Sequence, residues 1–127
     1  MAGAGRFAVL RGKGRRGFRG YPVATVAYYG PDATRATKVA VGVILDEGNE
    51  PGAIERWHST ETDVRFDQEI CGAVLEFMAA WRVKTVVLSA GITGCPHEEG
   101  VDYPTGQECE ACPYWADRDR WSGKVIR

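Results

Sequence analysis

The central elements of the fold are predicted from residues 67–90, which are Asp67-Gln-Glu-Ile-Cys-Gly-Ala-Val-Leu-Glu-Phe-Met-Ala-Ala-Trp-Arg82 followed by Val83-Lys-Thr-Val-Val-Leu-Ser-Ala90. In its first part, apolar side chains recur at steps of three and four residues, which places them in one stripe on a helix. The stripe consists of Ile70, Val74, Phe77, Met78 and Trp81. We therefore predict one main amphipathic helix from about Gln68 to Arg82, with Asp67 as its N-cap.

The second part of the stretch, residues 85–90, is almost wholly apolar. Such a run is typical of a central strand that is covered on both faces. Only Val83 and Lys84 separate it from the helix, so we expect the helix to pack on the sheet that contains this strand. Cys71, beside the apolar stripe, is interpreted as a small buried hydrophobe with an inert thiol.

A β-hairpin is predicted upstream of the helix. Residues 23–29 and 38–45 alternate and are rich in β-forming residues, and Gly30-Pro-Asp32 between them favours a turn. Gly42 is expected to admit a close neighbour on one face of the second strand. The opposite face should lie on the core, with Val39, Val41, Val43 and Leu45.

A short helix is expected from about Pro51 to Trp57, because proline suits the first position of a helix. His58 follows it without a neighbouring metal-binding residue, and we interpret it as a surface or packing residue. Together these elements predict an α+β fold, with a hairpin and a central strand packed on one main amphipathic helix and a zinc loop at the carboxyl-terminal end.

The zinc loop is predicted because three cysteines and one histidine lie close together after residue 94. A Cys-x-x-Cys pair wraps one ion in a tight turn. A Cys-x-His pair chelates on an extended segment, and Pro96 disfavours helix there. The predicted ligands of a closed, structural Zn²⁺ site are Cys95, His97, Cys109 and Cys112.

The spacing of the loop residues also argues against a redox site and a deaminase site. A redox Cys-x-x-Cys normally opens a helix, whereas Pro113 follows Cys112. A deaminase site needs its ligands on separate helices, and the loop is too short to hold them. The remaining enzyme alternative is a zinc-dependent hydrolase with one ligand missing, in which Glu98 or Glu99 acts as general base on metal-bound water.

At the level of the motif, the segment from Cys95 to Cys112 resembles zinc ribbons and related short zinc loops. The resemblance covers about 18 residues. It implies a folding clamp of the kind found in nucleic-acid-binding or protein-binding modules.

The formal net charge of -1 hides an asymmetry. Residues 1–31 contain six basic and no acidic residues, so residues 32–127 carry 10 basic and 17 acidic ones. The basic, glycine-rich part is typical of a flexible segment that tracks RNA or single-stranded DNA, and the alternative is a mobile loop with solvated charges. The predicted contacts are Arg11, Lys13, Arg15, Arg16, Phe18 and Arg19.

The zinc loop itself is acidic and repels phosphate. Its five carboxylates are Glu98, Glu99, Asp102, Glu108 and Glu110. Tyr114, Trp115 and Trp121 are expected to cover the zinc and the end of the sheet. A third hypothesis is therefore a protein-interaction factor that uses the acidic loop and the tryptophans.

The length of 127 residues suits a single domain. We divide it into a basic segment (1–21), an α/β core (22–94) and a zinc loop with an aromatic tail (95–127). No apolar run is long enough to span a membrane, and Arg and Gly interrupt the amino terminus before a secretory signal could form. Four cysteines, three of them clustered with a histidine, favour metal over disulfides, so we expect a cytoplasmic protein.

Overall fold

A mixed β-sheet and two helices make up the described part of the chain. The computed structural model describes residues 2–48, 50–97, 101 and 114. The helices are α1 (Ala2–Arg15) and α2 (Gln68–Ala80), and the strands are β1 (Val23–Tyr29), β2 (Lys38–Ile44), β3 (Ala53–His58) and β4 (Thr85–Ile92). The strand order is β3-β2-β1-β4, with β4 parallel to β1 and the other pairs antiparallel. The α+β fold is confirmed.

The predicted hairpin is β1 and β2, paired in register from Val23 with Ile44 to Tyr29 with Lys38. The core face of β2 is also confirmed, because Val39, Val41 and Val43 are at most 1% exposed. The prediction that Leu45 lies on that face is wrong. It lies past the end of the strand and is 40% exposed, because the pleat that alternates side chains ends with the pairing.

Gly42 has the close neighbours that its position predicted. A Cβ atom at this residue would lie 3.2 Å from Thr25 Oγ1 and 3.5 Å from Pro51 Cγ. Thr25 is the cross-strand partner of Gly42, so a side chain at residue 42 would have to displace the Thr25 hydroxyl by a few tenths of an ångström.

The helix predicted from about Pro51 to Trp57 is wrong, because these residues lead into and form strand β3. Its residues pair with β2, with Trp57 opposite Val39. The free edge of β2 supplies backbone hydrogen bonds to a segment too short to form a stable helix by itself. The Trp57 ring then packs edge to face on Phe77 of α2, with ring centroids 5.8 Å apart. His58 is exposed at the end of the strand.

Helix α2 begins as predicted. The Asp67 carboxylate accepts a hydrogen bond from the Ile70 backbone N–H at 3.1 Å. The buried centre of the apolar stripe is formed by Cys71, Val74 and Met78. Trp81 lies at the edge of the stripe, 37% exposed, because the helix ends at Ala80.

The amino-terminal segment is a helix over much of its length, which corrects the expectation of a flexible, glycine-rich segment. Helix α1 packs on α2 and β4. Leu10 is 1% exposed, and Phe7 packs edge to face on Tyr28 and on Phe66. Glycines disfavour an isolated helix, so burial of this apolar face is what stabilises α1.

Strand β4 follows α2 after the short connection that the sequence predicted. Val86 is 5% exposed, whereas Val87 on the opposite face is 54% exposed. The expected burial on both faces therefore does not hold at Val87. No helix in the described residues has the length and apolar character that crossing a membrane requires.

Candidate metal centre and basic surface

The chain reaches Cys95 from the carboxyl end of β4. Two backbone hydrogen bonds attach this exit to the end of β1, from Thr93 N–H to the Tyr28 carbonyl (2.8 Å) and from Gly30 N–H to the Gly94 carbonyl (2.9 Å). The Thr93 hydroxyl also donates to the Tyr28 carbonyl, at 3.1 Å. Cys95 is thus held by the sheet.

Cys95 and His97 form a close pair. The distance from Cys95 Sγ to His97 Nδ1 is 3.3 Å. The His97 backbone N–H also donates to Sγ, at 3.3 Å. Two ligands at about 2.3 Å (sulfur) and about 2.0 Å (nitrogen) from a tetrahedral zinc lie about 3.5 Å apart. The pair therefore needs a shift of only a few tenths of an ångström to chelate one ion.

The surroundings of this pair are partly apolar. Cys95 is 3% exposed and packs with Tyr114 and with Ile92, which also packs against the main core. Lys38, at the start of β2, is 4% exposed, and its Nζ donates to the Pro96 carbonyl at 3.0 Å. The same Nζ lies 5.5 Å from the centroid of the Tyr29 ring. A buried ammonium group thus holds the backbone between the two predicted ligands.

The other predicted site residues of the loop lie outside the described residues. They are Cys109, Cys112, the alternative bases Glu98 and Glu99, and the remaining acidic and tryptophan residues of the loop and tail. Within the described residues, no group of three or more potential ligands is assembled.

Cys71 has the inert, buried character that the sequence predicted. Its side chain is 2% exposed, and its thiol donates to the Arg65 carbonyl at 3.2 Å. Burial, with a smaller contribution from the Asp67 carboxylate, raises the pKa of the thiol to about 11. A metal ligand must be a thiolate, so this cysteine is unsuited to the role.

The predicted nucleic-acid residues lie on the last turns of α1 and on the loop that follows. The Arg11 guanidinium lies over the Phe7 ring, 5.8 Å from its centroid. Phe18 is 69% exposed and packs edge to face on Tyr21, with ring centroids 5.4 Å apart. The Arg19 backbone N–H donates to Thr85 Oγ1 at 2.8 Å, which attaches the loop to the start of β4. Lys13, Arg15 and Arg16 complete the surface.

Two basic residues on this side of the molecule were not predicted from the sequence. A pocket of about 150 Å³ opens between the carboxyl ends of the two helices and the start of β4. Lys13 and Arg16 line it together with Arg82 and Lys84. Arg82-Val-Lys84 is a short basic signal, but only the fold brings it next to the end of α1.

Comparison of the chain with protein-family models, with curated proteins and with solved structures finds no match.

Proposed function

We propose that this chain is a small intracellular zinc-binding module whose ion is held by Cys95, His97, Cys109 and Cys112 and serves a structural role. The observation that supports the proposal most is the separation of 3.3 Å between Cys95 Sγ and His97 Nδ1. Sulfur and imidazole nitrogen are both donor atoms that zinc prefers.

Tyr114 provides further support. Its side chain packs against Cys95, and Cys112 precedes it by two residues. Two residues of extended chain span at most about 7 Å. The described Tyr114, which follows Cys112 by two residues in the sequence, thus lies next to Cys95, as a shared ion would require.

The metal content and ligand set test the zinc proposal. We expect about one zinc per chain, with three sulfur ligands and one nitrogen ligand in the X-ray absorption spectrum of the full-length protein. Cys95→Ser should lose most of the metal, whereas Cys71→Ala should retain it because Cys71 is buried in the main core. An oxygen in the first coordination shell would contradict the closed site and favour the hydrolase alternative.

The partner that we propose for this module is RNA or single-stranded DNA. In support, the side chains of Arg11, Arg15, Arg16 and Arg19 are exposed, and so is the aromatic ring of Phe18. Cations neutralise phosphates, and an exposed ring offers a face on which an unpaired base stacks.

A salt-dependent titration tests the choice of partner. Replacing Arg15, Arg16 and Arg19 together by Ala should weaken binding of a 12-nucleotide oligo(U) by about 100-fold and flatten its dependence on salt. Arg56→Ala, on exposed β3, is the control for loss of positive charge. Equal affinity of the wild type and the triple variant would instead favour the protein-interaction alternative.

A further inference from the structure

The basic pocket lies at the opposite end of β4 from Cys95. Residues 85–92 of the strand span about 23 Å at about 3.3 Å per residue, so the two sites are well separated. Apolar side chains, including Met78 and Val86, form part of the pocket lining. Its cationic lining consists of Lys13, Arg16, Arg82 and Lys84.

This concentration of positive charge favours an anionic ligand. Four cationic residues line this pocket of about 150 Å³, and none of the described side chains that line it is acidic. Like charges held together repel one another, and a bound anion relieves that repulsion. The volume suits a single phosphate group with part of the moiety that carries it.

Arg82 adds an independent indication, because its backbone is strained. It has a φ of 54°, in the left-handed region that favours glycine. The Arg82 N–H bonds to the Ala79 carbonyl (3.0 Å) and the Val83 N–H to the Met78 carbonyl (3.1 Å), which is the Schellman arrangement at a helix end. Glycine is usual at this position, so the arginine side chain is held here at a cost in backbone strain.

The loop with the exposed aromatic ring borders the same pocket. Arg16 lines the pocket, and a Cβ atom at Gly20 would lie 3.6 Å from Lys84 Cδ. Phe18 lies on the same loop, two residues from Arg16 and two from Gly20, and its ring is 69% exposed. A phosphate site beside a stacking ring suits an unpaired nucleotide.

We propose that the pocket formed by Lys13, Arg16, Arg82 and Lys84 binds one backbone phosphate of a single-stranded nucleic acid, with an adjacent base stacked on Phe18. That the ligand is a nucleic acid rests on the proposed function. It adds a defined phosphate site and two residues, Arg82 and Lys84, that the basic segment does not contain.

The test compares Arg82→Gly and Lys84→Gln with the control Arg56→Gln, which removes one cation from β3 at the far side of the sheet. Fluorescence anisotropy with labelled 12-nucleotide oligo(U) and oligo(dT) should show about tenfold weaker binding for each pocket variant and less than twofold for the control. Arg82→Gly should also raise the melting temperature, because glycine adopts this φ without strain. If Arg82→Gly loses affinity while its melting temperature rises, the loss of affinity does not come from unfolding.

Three results would overturn the pocket proposal. Unchanged affinity of both pocket variants, with loss of affinity in a variant that replaces Arg15 and Arg19 outside the pocket by Ala, refutes the pocket and leaves the proposed function standing. No binding of either oligonucleotide by the wild type refutes the pocket's ligand and the proposed partner together. Adenosine monophosphate or inorganic phosphate binding as tightly as the oligonucleotides, and depending on Arg82, assigns the pocket to a small phosphate instead.

Discussion

At the scale of single residues, surroundings give two cysteines of the same chain opposite characters. Cys71 is buried in the main core, where its thiol donates to a backbone carbonyl and its pKa is raised to about 11. Cys95 is equally buried, but its sulfur accepts a hydrogen bond from the His97 N–H and faces an imidazole nitrogen. Of these two cysteines, only Cys95 therefore lies beside a second donor atom of the kind that zinc prefers.

Lys38 leads to a prediction at the same scale. In the proposed site, three thiolates and one neutral imidazole around Zn²⁺ would carry a net charge of about -1, which the buried ammonium of Lys38 would offset. Lys38→Met retains most of the length of the side chain but removes its charge and its hydrogen bond to Pro96. We expect about tenfold weaker zinc binding, measured by competition with a chromogenic chelator. Arg56→Met is the control, and equal affinities for the two variants would remove this role of Lys38.

At the scale of elements, helix α1 shows how tertiary contacts override local preference. The glycines of Ala2–Arg15 each disfavour helix, and no acidic residue lies in its first turn. The helix is nevertheless formed, because Phe7 and Leu10 pack into the core beside α2. It places part of the basic surface on a rigid support.

Paired substitutions in α1 test this account. Leu10→Ala should lower the free energy of unfolding by about 2–4 kcal/mol, because the side chain is 1% exposed and truncation leaves a cavity. Val9→Ala, one residue away and 49% exposed, should change it by less than about 0.5 kcal/mol. Urea denaturation of the full-length protein measures both. Equal, small effects would mean that residues 2–15 do not pack as a helix in solution.

At the scale of the whole molecule, the two candidate sites lie at opposite ends of the parallel pair β1 and β4. The carboxyl ends of these strands lead to Cys95 and to Lys38 at the start of β2, whereas their amino ends adjoin the basic pocket. The separation keeps the cations of the proposed phosphate site away from Cys95 and His97.

Metal removal should therefore act unevenly across the molecule. Cys95 packs at the edge of the molecule's main core, where Tyr114 and Ile92 are its apolar neighbours and Ile92 also packs against that core. We expect a zinc chelator to lower the melting temperature and to make limited proteolysis cut first beyond residue 94, leaving a fragment with both helices. Re-added zinc should restore protection. First cuts within residues 23–92 would show instead that the sheet itself depends on the ion.

Local sequence accounts for the hairpin, for the N-cap and apolar stripe of α2, and for the short connection to β4. Each depends on spacing within a few residues, where periodicity and covalent geometry act directly. Only the tertiary structure decided that residues 53–58 form a strand, that residues 2–15 form a helix, and that Arg82 and Lys84 join Lys13 and Arg16. Those outcomes depend on a strand edge, a core face and a pocket contributed by residues distant in sequence, whose contacts outweigh weak local preferences.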